Sequence, residues 1–119
     1  MQHNFKELKL WQKARILVKD VYLTTQSFPK EEVFGLTSQV RRSAVSIGAN
    51  IAEGCGRGTN AQLLYFLDIA HGSSCELETL LILASDLRYI EEEVCSELLT
   101  KVNEIQKMNI GFKNTLKTS

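Results

Sequence analysis

Two stripes at helical spacing run through residues 35–57, reading GLTSQVRRSAVSIGANIAEGCGR, and no other feature narrows the fold as far. Leu36, Val40, Ala44, Ile47 and Ile51 recur at steps of four and three, so they share one helix face that must be buried. Gln39, Ser43, Ser46, Asn50 and Glu53 follow the same rhythm one face over. Solvent faces fill with Lys and Glu, whereas this second stripe is mostly small and uncharged and runs beside Arg41 and Arg42. The segment therefore reads as a helix packed on more than one side.

Three further helices follow from periodicity. Phe5, Leu8, Trp11, Ala14, Leu17, Val18, Val21 and Tyr22 give a wide apolar arc over residues 5–26, with Ile16 and Leu23 outside it. Ser27, Phe28 and Pro29 stop that helix, because the residue before a proline disfavours the α region and proline has no N–H to donate. The second helix starts between Glu32 and Gly35 and ends at Glu53 and Gly54. A glycine-rich turn follows, with Thr59 or Asn60 placed to cap a third helix over residues 60–89. There Leu63, Leu67, Ala70, Ser74, Leu77, Leu81 and Ala84 form one row, and Phe66, Ile69, Ser73, Leu80, Leu83 and Leu87 a second. Glu91, Glu92 and Glu93 open a fourth helix, where negative charge suits the positive end of the dipole. Val94, Leu98, Val102, Ile105, Phe112 and Leu116 make its narrower face, and Lys117, Thr118 and Ser119 are expected to fray.

Four helices with short connections and no strand pattern predict an all-α, antiparallel up-down-up-down four-helix bundle. The 119 residues are 44% hydrophobic, enough for one core without disulfide or metal staples, so residues 1–119 read as a single domain. The first and third helices carry more apolar surface than one bundle core absorbs, which predicts self-association. No apolar run approaches the roughly 20 residues needed to span a bilayer. The N-terminus, MQHNFKELK, lacks the apolar core of a signal peptide, so a cytoplasmic protein with no membrane partner is expected. Cys55, Cys75 and Cys95 match no C-x-x-C metal or redox spacing and read as small buried or incidental thiols. Formal net charge is zero, but residues 1–60 hold nine Lys/Arg against five Asp/Glu and residues 61–119 hold five against nine.

FKELKLWQKA at residues 5–14, FP at 28–29, GLTSQVRRSAVSIGANIAEG at 35–54 and FLDIAHGSSCEL at 66–77, in that order, resemble one family. These are the small four-helix-bundle proteins encoded by intervening sequences within bacterial 23S ribosomal RNA genes. The resemblance implies a ring-shaped homopentamer. It also implies kinship with the accessory protein of diversity-generating retroelements, a basic pentamer that binds nucleic acid and a reverse transcriptase. It carries no catalytic residues over. Gly48 stands where many members have proline, so any bend there must come from glycine. The neutral charge departs from the strongly basic retroelement proteins.

Two constellations are candidates for function. Arg41, Arg42, Ser46, Asn50, Glu53, Ser73 and Glu76 read as a polar network fixing helix register or a subunit contact, since a buried charge must find an opposite partner. A ligand or catalytic pocket around Arg42, Glu53 and Glu76 and ordinary solvation are the competing readings. Lys6, Lys9 and Lys13 project from one side of the first helix and, with Arg15 and Arg57, form a candidate nucleic-acid patch that a cyclic assembly would repeat. The competing reading is a solvated helix face. His71 reads as a packing or rim residue, and His3 falls in a terminus expected to be mobile. GCGRG lacks the Walker spacing and a preceding strand. Together these predict a non-enzymatic homo-oligomer, pentameric by the resemblance, acting as a scaffold or nucleic-acid-binding adaptor for RNA or DNA. No cofactor, metal or small-molecule substrate is expected. The alternative is a protein–protein interaction module without nucleic-acid binding.

Overall fold

In the computed structural model, residues 3–117 are described, and they form four helices: α1 (Lys9–Thr25), α2 (Leu36–Cys55), α3 (Asn60–Asp86) and α4 (Glu92–Lys117). Short 3-10 turns at Phe5–Glu7 and Lys30–Glu32 precede α1 and α2. At about 1.5 Å per residue α3 is roughly 40 Å long, close to the 46 Å long dimension of the molecule. Each helix packs on its chain neighbours and α1 closes on α4, while the diagonal pairs do not meet among the described residues. This is the expected all-α bundle. One end, the turn end, carries the α1–α2 and α3–α4 connections. The other, the terminal end, carries the α2–α3 loop and the residues nearest the chain ends. No described helix is long and apolar enough to cross a membrane.

The core is the set of stripes read from periodicity. Leu17, Val21, Val40, Ile47, Ile51, Leu67, Leu77, Leu81 and Val102 are all fully enclosed. Side chains of this size each contribute about 1.5–3 kcal/mol when taken out of water. α2 and α3 form the most extensive helix pair. Their close approach depends on Gly54, where a Cβ would stand 2.9 Å from both Leu63 Cδ1 and Phe66 Cβ. Gly48 is different: a Cβ there would meet Trp11 and Ala14 at ordinary distances of 3.6–3.7 Å. α2 continues as a helix through Gly48, so the glycine introduces no break.

Several elements differ from the periodicity. The first helix does not start at Phe5: Leu8 is extended (φ −74°, ψ 126°), separating the Phe5–Glu7 turn from α1. That turn is capped by Asn4, whose side chain accepts from the Lys6 N–H, and Phe5 sets its ring against Trp11 at 5.1 Å. Leu10, outside the predicted arc, is buried, whereas Tyr22, inside it, is exposed along with Ile16 and Leu23. Thr59 caps α3 by accepting from the Gln62 N–H. In the second α3 row Leu80 is buried but Ile69, Leu83 and Leu87 are exposed, so a single chain does not bury that side. The row along α4 has a polar member between Ile105 and Phe112: Asn109 is buried and donates to the Leu67 carbonyl at 2.9 Å. Thr118 and Ser119, expected to fray, lie outside the described residues, while Lys117 ends α4. His3 is half-buried with its ring edge-on to Phe112 at 5.3 Å.

The third helix stops at Asp86, three residues before the expected Tyr89. The Arg88 N–H bonds to the Ser85 carbonyl and the Tyr89 N–H to the Ala84 carbonyl, both at 2.9 Å, with Arg88 left-handed (φ 62°). This is the Schellman arrangement, which ordinarily places glycine at the left-handed residue. Tertiary contacts hold it there. The Tyr89 hydroxyl donates to Glu32 Oε2 at 3.0 Å and its ring packs 5.6 Å from Phe28, while Glu32 Oε1 accepts from the Leu36 N–H at 3.0 Å. Glu32 thus caps α2 and ties the two turns together. The hydrogen bond to Glu32 is the main reason the Tyr89 phenol is held above its ordinary pKa, with desolvation and the charges of Glu32 and Glu31 adding to it.

Chemical unfolding should separate these glycine roles. Gly54→Ala is expected to destabilise by about 1–3 kcal/mol through the forced contact with α3, and Gly48→Ala to be neutral or stabilising by up to about 1 kcal/mol. Arg88→Gly should stabilise by about 0.5–1 kcal/mol by relieving the left-handed backbone, measured in the same experiment.

Candidate functional site

The α2–α3 seam brings together three of the seven residues of the predicted polar network. Ser46 Oγ and Ser73 Oγ lie 2.9 Å apart across the helices, and Asn50 Nδ2 donates to the Ser46 carbonyl and to its Oγ at 2.8 and 2.9 Å. Small side chains at these positions allow the hydroxyls to meet, and the amide one turn below fills the remaining acceptor capacity.

The charged members go elsewhere. Arg41 Nε donates to Thr25 Oγ1 at 2.8 Å and its guanidinium lies 4.5 Å from the Tyr22 ring centre, so it faces α1 and not α3. Arg42 is exposed and donates to Ser38 Oγ at 3.3 Å. Glu53 is exposed and pairs with Arg57 at 3.2 Å, one turn along the chain. Glu76 is exposed and, with Arg42, Gln39, Ser43 and the seam residue Ser46, lines an open groove of about 470 Å³, so three network members share this groove. Among the described residues no ion pair joins its two charges. Glu53 and Glu76 are not buried, so neither requires an opposite charge inside the seam.

The predicted basic residues spread over two surfaces. Lys6 and Lys9 are exposed at the terminal end, where the Lys6 ammonium lies 5.9 Å from the Phe5 ring centre. Arg57, at the same end, covers the Phe66 ring at 4.9 Å while pairing with Glu53. Lys13 instead faces α4 and pairs with Glu104 at 3.0 Å, and Arg15 lies 5.7 Å from the Trp11 ring centre. Sequence reasoning missed the α1–α4 pair Asp20 with Lys101 at 2.6 Å and the α3–α4 pair Asp68 with Lys113 at 2.8 Å, since partners so distant in the chain leave no local pattern. The ends differ in charge. Lys6, Lys9, Arg57, Lys113 and Lys117 outweigh Glu7, Glu53 and Asp68 at the terminal end, while Glu31, Glu32, Asp86, Glu91 to Glu93 and Glu97 outweigh Lys30, Arg41, Arg42 and Arg88 at the turn end.

The family model for the 23S rRNA-intervening sequence protein matches residues 6–111. The chain belongs to this family. A solved structure of a protein of unknown function from the S23 ribosomal protein family of Bacteroides thetaiotaomicron is 28% identical, covering 87% of this chain and 97% of that one with a TM-score of 0.78. No curated protein matches.

In this family member the thiols divide two to one. Cys55 and Cys95 are buried, and desolvation raises both pKa values, whereas Cys75 is exposed on α3. No described group of three or more His, Cys, Asp or Glu is placed to hold a metal ion. His71 is half-buried, with Nδ1 enclosed and without a partner.

The seam bonds and the exposed acids should separate by mutation. Ser46→Ala is expected to cost about 0.5–1.5 kcal/mol, because Ser73 loses its partner while Asn50 keeps the Ser46 carbonyl. Glu76→Ala should stay within about 0.5 kcal/mol, both read from denaturant midpoints.

Proposed function

We propose that the protein is a non-enzymatic, cytoplasmic scaffold that assembles into a homopentameric ring and binds nucleic acid, RNA foremost, through the basic terminal end of its bundle. The observation that carries this reading is the separation of charge along the bundle. In a ring whose axis runs parallel to the helices, every copy turns Lys6, Lys9 and Arg57 to one face. A neutral chain then presents a basic ring face, and several weak phosphate contacts act together. Lys13 and Arg57 contribute less than Lys6 and Lys9, because Glu104 and Glu53 pair with them. The exposed apolar side of α3 and a fully exposed Phe34 support self-association. A protein-interaction module without nucleic acid is the second reading, favoured by the same apolar exposure.

Light scattering after size exclusion should return five times the 13.4 kDa of one chain; a monomeric mass at micromolar concentration contradicts the ring. Structured RNA and duplex DNA titrated across a salt series should bind with affinity falling as salt rises. Lys6→Glu with Lys9→Glu should weaken binding and flatten the salt slope by roughly 0.7–0.9 for each phosphate no longer neutralised. Absence of binding at low salt, or an unchanged affinity in the double variant, overturns the nucleic-acid reading and leaves the interaction module.

A further inference from the structure

The turn end carries two unlike surfaces on neighbouring sides of the bundle. On the α1–α2 side, Phe34 is 95% exposed and Val33 beside it 51%. The groove beneath them is bordered by Tyr22 and Val45 and flanked by the cation of Arg42. Lys30 stands next to Val33. On the α1–α4 side, at the same height, an open cleft of about 1170 Å³ is lined by the apolar side chains of Leu23, Ile90 and Val94. Its rim carries the carboxylates of Asp86, Glu91 and Glu92, which outnumber the one cation there, Arg88. Phe34 forms a contiguous exposed apolar patch with Val33, Tyr22 and Val45, and its basic flank has a matching acidic rim on another side of the same molecule.

We propose that Phe34 of one copy seats in the cleft between Leu23, Ile90 and Val94 of the next, with Arg42 and Lys30 set against Glu91 and Glu92. The inference rests on the assembly reading above and names the contact that makes it. The contact is heterologous, since knob and cleft are different surfaces. Both lie at the turn end, so successive copies keep their helices parallel and in step. They occupy adjacent sides of the bundle, so each contact turns the next copy, as a closed ring requires, whereas opposite sides would run on as a filament. The paired charges set the register, and the aromatic anchor supplies the desolvated centre that dominates such interfaces.

Light scattering over a dilution series tests the contact, with circular dichroism confirming that each variant keeps its helices. Phe34→Ser alters a side chain with no role in the core. It is expected to weaken assembly by roughly tenfold or more, as removal of a central aromatic anchor does. Arg42→Glu and Glu92→Arg should each weaken it, and the two together should restore it. Phe34→Ser mixed with Leu23→Arg should yield a heterodimer and no ring, because only one knob and one cleft remain between them. A wild-type chain that stays monomeric overturns both assembly and contact. A wild-type assembly that Phe34→Ser leaves intact, a double reversal no better than either single one, or a mixture that rebuilds the full ring overturns the contact alone.

Discussion

Everything else in the bundle is placed by the close approach of α2 and α3. Two helices come within contact of each other's backbone only where side chains are small, and here Gly54 lies under Leu63 and Phe66 while Ser46 meets Ser73 hydroxyl to hydroxyl. The apolar stripes of both helices then lie in register, and α1 and α4 close over them. The seam also determines what faces out. With Val40, Ala44, Ile47 and Ile51 turned to the core, Phe34, Arg42 and Val45 are left on the surface.

The connections and ion pairs act on this frame with unequal weight. The tie from Glu32 to the Leu36 N–H and the Tyr89 hydroxyl joins both turns through one carboxylate and is shielded by Phe28. The pairs of Lys13 with Glu104 and Asp20 with Lys101 span α1 and α4 in the open. Exposed pairs of this kind are worth about 0–1 kcal/mol each, less than one buried leucine. They orient α1 against α4 more than they hold it. Their larger consequence is electrostatic: they neutralise the flanks, so the basic surplus of the terminal end and the acidic surplus of the turn end stand out.

Periodicity carries the fold well because burial is a face property, and a face repeats. The rows through Ile47 and Leu67 are therefore legible in the chain, and the resemblance to the family is carried by the same segments. What periodicity cannot carry is any feature decided by a distant partner. Arg88 holds a left-handed position with no glycine to announce it, because Tyr89 is anchored to Glu32 from another turn. Asn109 sits in a core row because a carbonyl of α3 faces it. Of the candidate site, the bonds of Asn50 to Ser46 and of Arg57 to Glu53 follow from helical spacing, but the meeting of Ser46 with Ser73 and the destinations of Arg41 and Lys13 depend on which helix lies alongside. The acidic cleft at the turn end is built from three elements and has no linear signature at all.

Hydrogen exchange under native conditions tests the central claim, that the α2–α3 seam is the frame on which the other helices rest. Amides in residues 40–51 and 67–81 should exchange slowest, opening only with the whole domain, while those of α1 and α4 exchange earlier through partial opening. Equal or slower exchange in α1 or α4, or early exchange in α2 around Ser46, would contradict the account.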